Sequence, residues 1–294
     1  HFFFVPKDFD LMNEYEKEWS ISDIFPLNST NVEAGRDKYL VSFEPDKIKE
    51  VIWFIANPSK TNYELAEQYG IRDTKGWPVS KRRKQLLLEG FNEERIVSLY
   101  YRPFDWRFTY FCGLLRRAHE PVMKQMLHKN IAIISTRQVT ELPFNHIIVS
   151  GCISEYKSTS TDRNCYIFPL YLYNAHRNTK DILTTTVKIT RKPNLSPKFI
   201  AAVKEKLGME FVADGKGDLQ TTFGPEDILH YAYAIFHSQT YRERYAEFLK
   251  IDFPRLPITS DRALFKALAD KGAELVAMHL MESPTLNQLT TSFP

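Results

Sequence analysis

The amino-acid sequence predicts an α+β protein: a mixed or mainly antiparallel sheet of short strands with flanking helices over residues 1–185, followed by a helical C-terminal region over 193–282. Three observations carry that reading. Several short runs in the first region alternate apolar and polar residues with period two, the spacing that sends every second side chain to one face of a strand. Other runs place apolar residues three and four apart between recognisable helix caps, and such runs dominate the last third. The chain has 294 residues with 43% hydrophobic and 14% aromatic content, enough for a sizeable core.

Taken in order, residues 2–6 (FFFVP) read as a short apolar strand, 10–19 as a helical turn or two, and 20–25 as another strand. The polar segment 28–37 leads into an alternating strand over 38–43 (KYLVSF), which sets Arg36 and Asp37 at a loop-to-strand junction, the usual place for a brace. Residues 46–56 have helical spacing, with Ile48, Val51, Ile52 and Ile55 on one side. Thr61-Asn62-Tyr63-Glu64 has the capping-box form, which satisfies two orphan N–H groups and starts a helix to about Tyr69 that Gly70 stops. A helix over 79–89 carries Lys81-Arg82-Arg83-Lys84 and ends at Gly90. Four cations in one turn form either a solvated face or a phosphate contact.

The clearest alternation lies in the middle of the chain. Phe104, Trp106, Phe108 and Tyr110 fall on one side and Asp105, Arg107, Thr109 and Phe111 on the other, so one face reads as an aromatic core ladder and the other carries an acid and an arginine. Pro103, which has no N–H for a ladder, fits the strand entry. Arg102, Asp105 and Arg107 either brace the sheet as paired charges or face a ligand. A basic turn with Arg116, Arg117 and His119 follows, then a helix over 120–128. Residues 131–135 are apolar on both faces, hence a buried strand, and deliver Thr136-Arg137-Gln138 at its end. Further strands read over 145–150 and 152–157. The polar loop 157–164 (KSTSTDRN), bounded by Lys157 and carrying Arg163, precedes a strand over 166–172.

Residues 174–192 are rich in Thr, Lys and Arg and read as a linker or exposed hairpin. Ser196-Pro197 supplies an N-cap with proline at the first helical position, opening a helix that ends at Gly208. Gly215-Lys216-Gly217 is too short and wrongly spaced for a phosphate-binding loop. Pro225-Glu226-Asp227 opens an apolar helix to His237, its acids suiting the helix dipole. Helices over 240–250 and 261–281 follow, the second with Leu264, Leu268, Leu275 and Met278 on one stripe.

Net charge is +3, so any surface for a polyanion must come from clustering of cations and not from bulk charge. Cys112, Cys152 and Cys165 are odd in number and lack C-x-x-C spacing, which argues against a disulfide framework and a zinc site and makes a reducing cytoplasm the simplest setting. No apolar run approaches the ~20 residues of a membrane span. The first methionine is Met12, from which the chain is expected to begin inside a longer one.

The stretch Tyr101-Arg102-Pro103-Phe104-Asp105 resembles a block in the C-terminal target-recognition region of type ISP restriction-modification enzymes and related fused adenine-N6 DNA methyltransferases. Residues 1–10 (HFFFVPKDFD), 20–30 (SISDIFPLNST), 131–138 (IAIISTRQ), 166–173 (YIFPLYLY), 214–228 (DGKGDLQTTFGPEDI) and 237–257 (HSQTYRERYAEFLKIDFPRLP) resemble further blocks of that family in the same order. The resemblance implies a region that follows a methyltransferase domain and grips and reads double-stranded DNA, with S-adenosylmethionine bound by the upstream domain and no cofactor in this segment. The residues suited to that task are Arg102, Arg107, Arg116, Arg117, Arg137, Gln138, Lys157 and Arg163: arginine matches guanine O6 and N7, glutamine matches adenine N6 and N7, and basic turns reach phosphates.

No catalytic residue is expected here. An adenine-N6 methyltransferase holds its flipped base with an Asn-Pro-Pro-Tyr block; Asn57-Pro58-Ser59-Lys60 lacks the second proline and the aromatic. Pro45-Asp46 with Glu50 is a poor match to a metal-nuclease element. His119, His128, His146, His230 and His237 show no metal-ligand spacing. The alternative to a DNA-recognition module is a protein-interaction or scaffold domain whose basic clusters are solvated faces.

Overall fold

The computed structural model describes residues 9–140, 143–177 and 187–288, so the strand expected over 2–6 lies outside the described residues. The architecture is the α+β arrangement that the periodicities predict, with small, mainly antiparallel sheets and helices gathered at the C-terminal end. The sheet at its centre runs Ser29–Thr30, Cys165–Pro169, Ala132–Thr136, Ile147–Ser150, each pair antiparallel. Every residue of Ala132–Thr136 is buried, because a strand apolar on both faces is stable only between two covering layers. Ile133, Val149 and Phe168 enter one hydrophobic core; Ala132, Ile134, Ile148 and Ile167 enter another.

The first core is closed by the helices Pro197–Leu207, Pro225–His237 and Arg262–His279, together with Ile21, Ile24 and Phe25 from near the start of the chain. The second is closed by the helices Pro45–Ala56, Asn62–Tyr69 and Val79–Glu89 and by a second sheet, ordered Val41–Ser42, Asp105–Tyr110, Ile96–Arg102, Ile153–Ser154. In this sheet the first two pairings are antiparallel and the last is parallel. Trp19–Ser20 pairs with Arg255–Leu256, joining an early segment of the chain to its last third.

Local signals held where caps were explicit. Thr61 and Glu64 form both bonds of the capping box, and Gly70 ends that helix in the left-handed region at φ 66°. Gly208 does the same for Pro197–Leu207. Tyr171–Arg177 and Val187–Pro193 pair antiparallel, so the described parts of the Thr- and Lys-rich segment are the two arms of a hairpin.

Other expectations need correction. Residues 20–25 are not a strand: after Ser20 the chain makes a helical turn, Ile21–Ile24, because Ile21, Ile24 and Phe25 meet the core at three- and four-residue spacing. The strand expected over 38–43 is a helical turn, Asp37–Leu40, and a two-residue strand, Val41–Ser42. Leu40 and Val41 are buried in succession while Phe43 is exposed, which an alternating strand cannot do. The helix expected over 240–250 is broken at Tyr245 into Gln239–Arg244 and Ala246–Leu249. On the last helix the core stripe is Phe265, Ala269, Gly272 and Val276, with Leu264 exposed. Gly272 sets that register: a Cβ there would strike the His230 carbonyl, so the stripe containing glycine faces the crossing with Pro225–His237.

The aromatic ladder is shorter than expected. Ile96–Arg102 is a further strand, inner like Asp105–Tyr110, and Pro103-Phe104 is the turn that joins the two. Phe104 is therefore an exposed turn residue, Trp106 and Phe108 are half-buried, and Tyr110 alone of the four is fully buried.

Candidate nucleic-acid interface

Three surface clefts follow one another along one face and share their walls. The first lies between the Glu33–Tyr39 region and Arg102, Arg116, Glu155 and Lys157. The second is bounded by Arg102, Pro103, Asn145, His146 and the loop from Lys157 to Asp162. The third holds Arg137, Gln138, Asp162, Arg163, Asn164 and Tyr166. Arg102 and Lys157 line the first two, and Asp162 lines the last two. The fold thus gathers six of the eight sequence-predicted residues, Arg102, Arg116, Lys157, Arg163, Arg137 and Gln138, onto one connected surface.

The elements explain the placement. Arg137 and Gln138 leave the end of the buried strand Ala132–Thr136, and the loop 157–164 connects the strand Ile153–Ser154 of one sheet to Cys165–Pro169 of the other. Arg117 sits just outside the first cleft, its backbone tied to Glu33 by a pair of N–H···O bonds of 3.0 and 3.1 Å. Arg107 lies apart from the clefts. Its guanidinium makes a two-pronged bond to Asp105 and is stacked between Phe43 and Tyr101, at 4.4 and 3.9 Å from the ring centroids. That is the geometry of a brace.

Each remaining cation has a different degree of freedom. Arg102 donates to buried Glu155 at 2.5 Å and lies over Tyr101. Arg116 pairs with Glu33 at 2.6 Å, and its side chain fills space that only glycine leaves at Gly35 and Gly76. Arg117 reaches the other oxygen of Glu33 at 3.5 Å. Arg137 pairs with Asp252 at 2.9 Å, with side chains 57% and 47% exposed, and Gln138 donates to the Ile251 carbonyl at 3.3 Å. Arg163 lies 3.5 Å from Asp162. Lys157 makes no ion pair among the described residues, its ammonium lying 5.5 Å from the Tyr156 ring centroid.

Glu155 is the electrostatic oddity of the surface. Its side chain is 1% exposed, one oxygen accepts from Arg102 and from the Lys157 backbone N–H, and the other is buried without a partner. Burial pushes its carboxyl up to about 7, against the pull of those two donors. Glu33, also buried, is held by both Arg116 and Arg117.

Sequence reasoning missed the carboxylates Glu33 and Glu155 and the cations Arg36 and Lys38, which also line the first cleft. The signal for Arg36 was present, but it was read as a junction brace; here it donates to the Arg72 carbonyl and Thr74 and lies over Trp77. The Lys81 to Lys84 run is half structural: Arg82 donates to the carbonyls of Gly113, Leu115 and Arg116, and buried Arg83 donates to those of Ile55, Asn57 and Lys60. Of the charge cluster read for Arg102, Asp105 and Arg107, the structure pairs Arg107 with Asp105, while Arg102 pairs instead with Glu155.

The α+β scaffold thus presents guanidinium, amide and hydroxyl groups from strand ends and one connecting loop. The chain belongs to the family of Type ISP C-terminal specificity domains, whose model matches residues 23–294. Solved structures share the fold. The DrdV–DNA complex has a TM-score of 0.62 at 23% identity, covering 87% of this chain and 23% of that one. The ATP-dependent Type ISP restriction-modification enzyme LlaBIII bound to DNA has a TM-score of 0.66 at 17% identity, covering 90% and 16%. A nuclease-deletion mutant of the Type ISP enzyme LlaGI with a DNA substrate mimic has a TM-score of 0.60 at 17% identity, covering 91% and 20%. The chain thus spans less than a quarter of each of these three solved chains. No curated protein sequence matches it. Among the described residues no helix is long and apolar enough to cross a membrane.

Proposed function

We propose that this chain is the DNA target-recognition module of a restriction-modification polypeptide, positioning a specific duplex for a catalytic domain elsewhere in the same chain. The observation that carries the proposal is the run of three joined clefts in a member of a specificity-domain family, with cations, an amide and hydroxyls set along it. Related folds solved with DNA support the same reading. The catalytic partner is an adenine-N6 methyltransferase domain upstream, which binds S-adenosylmethionine, and the setting is the cytoplasm. Residues 1–185 form the recognition unit and 193–282 a helical packing subdomain.

Within the surface, magnitudes separate grip from reading. The Arg137–Asp252 pair is half exposed and worth ~0–1 kcal/mol, less than the ~1–3 kcal/mol of a good bidentate base contact. Arg137 can therefore exchange Asp252 for a base edge, with Gln138 beside it. Arg117, Lys157 and Arg163 act on phosphates, and Arg102 and Arg116, held by buried carboxylates, shape the groove and contribute charge.

The test is fluorescence anisotropy of the purified chain with a labelled 30-base-pair duplex of mixed sequence, across a salt series. Affinity is expected to fall steeply and linearly on a double logarithmic scale, each phosphate contact contributing ~0.9 to the slope. Absence of duplex binding at low salt would make the basic clusters solvated faces of a scaffold domain.

A further inference from the structure

Phe104 is a residue the interface does not yet use. It is one of four non-glycine residues among those described with positive φ, at 60°, in the left-handed region that side chains rarely occupy and that glycine would hold without strain. It is also 51% exposed, although it belongs to an otherwise core-facing aromatic run. A large apolar ring held exposed in a strained conformation persists only where the surroundings over-determine it. Here they do: the backbones of Arg102 and Asp105 are opposite one another in the strand register across the turn, the Tyr100 hydroxyl accepts from the Phe104 N–H at 3.4 Å, and Trp106 and His279 lie edge-on to the ring with centroids 6.4 and 5.9 Å away.

We propose that Phe104 is a wedge that inserts between two stacked base pairs of the bound duplex, an inference that rests on the recognition reading above. Its neighbours fit the role. Pro103 lines the second cleft together with Arg102 and Lys157, so Phe104, the next residue, sits beside the charge of the groove, where Lys157 holds a phosphate while the step is opened. Every base has a π-face, so a phenyl ring stacks without regard to sequence, and apolar wedges of this kind kink duplexes at the step they enter. Phe104 is not itself a lining residue of the three clefts but adjoins Pro103, which is; the other exposed aromatics, Phe43, Trp53 and Tyr63, neither line a cleft nor follow a lining residue in the chain.

The experiment uses the whole chain and the duplex that the wild type enriches from a randomised pool, with 2-aminopurine placed at each position in turn. Wild type is expected to raise 2-aminopurine fluorescence at one step. Phe104→Ala should abolish that rise and bind ~10- to 100-fold more weakly, with an unchanged salt slope because no phosphate contact is lost; Phe104→Trp should keep both. Phe104→Gly should weaken binding in the same way yet raise the melting temperature, since glycine relieves the left-handed backbone. Wild-type affinity in the Ala and Gly variants overturns the wedge and leaves the recognition reading intact. Loss of the fold in both variants overturns it too, by making Phe104 structural. If the wild type enriches no duplex, the recognition reading fails, and the wedge with it.

Discussion

Arg102 and Arg137 carry the same charge in different company, and the company decides what each can do. Arg137 shares its charge with an exposed aspartate and is free to leave it. Arg102 holds a buried glutamate, and removing the cation would push that carboxyl further toward its neutral form. Glu155 therefore ties the groove to pH. Its folded value of about 7 lies above the ordinary 4.5, so the folded protein holds a proton that the unfolded chain releases. The stabilisation from that proton is full below about pH 4.5 and is lost as pH rises through about 7. The melting temperature of Glu155→Gln relative to wild type is expected to climb between pH 5 and 8, by the equivalent of up to ~3 kcal/mol. A difference that does not change with pH would mean that Glu155 is ionised throughout. The sequence displayed all eight candidate residues but not their partners: Glu155, Glu33 and Asp252 are 53, 83 and 115 residues from the arginines they hold, and pairing at that distance is a product of the fold.

Helices were the most legible elements because their ends are written in local chemistry. Thr61 with Glu64, Pro197 at the first helical position, and the glycines at 70 and 208 each act within one turn. Register was harder, since the last helix has two plausible apolar stripes and only the crossing partner chooses between them. Gly272→Ala is expected to cost at least ~1–3 kcal/mol, because the new methyl meets the His230 backbone and the two helices must part. Urea unfolding should show a lower midpoint at unchanged slope, and an unaltered midpoint would remove the close crossing. Short strands were the least legible: a two-residue strand such as Val41–Ser42 has no period to detect. The hairpin also changes one expectation about stability. Full burial of Trp106 would make Trp106→Ala cost ~3–5 kcal/mol. Half-buried against Tyr100 at 5.6 Å, it should cost about half as much and leave a folded protein. Loss of soluble protein would place the indole deeper than that.

Across the chain, one sheet serves two cores, so a disturbance on either side of it reaches the other. Trp77 and Trp106 belong to the second core and Trp19 packs against the first. Tryptophan fluorescence and far-ultraviolet circular dichroism are therefore expected to report one coincident transition. Two separated transitions would show that the cores unfold independently. Sequence periodicity revealed both layers of helices. It could not reveal that Ile21, Ile24 and Phe25 join the C-terminal helices, because that contact spans nearly the length of the chain. The same limit hid the groove, whose walls come from segments around residues 35, 102, 137 and 160.

Whether that groove reads DNA is decided most directly by comparing wild type, Arg117→Ala and Arg137→Ala on the enriched duplex and on each of its single-base variants, over a range of salt. Arg117 is the better probe of grip, since Arg116 also packs against Gly35 and Gly76. Arg117→Ala should weaken every duplex alike and lower the salt slope by about one. Arg137→Ala should lose ~1–3 kcal/mol on the enriched duplex alone and tolerate any base at one position. A wild-type chain without sequence preference, or a folded Arg137→Ala variant that loses affinity equally for every sequence, would contradict the assignment of this surface to target recognition.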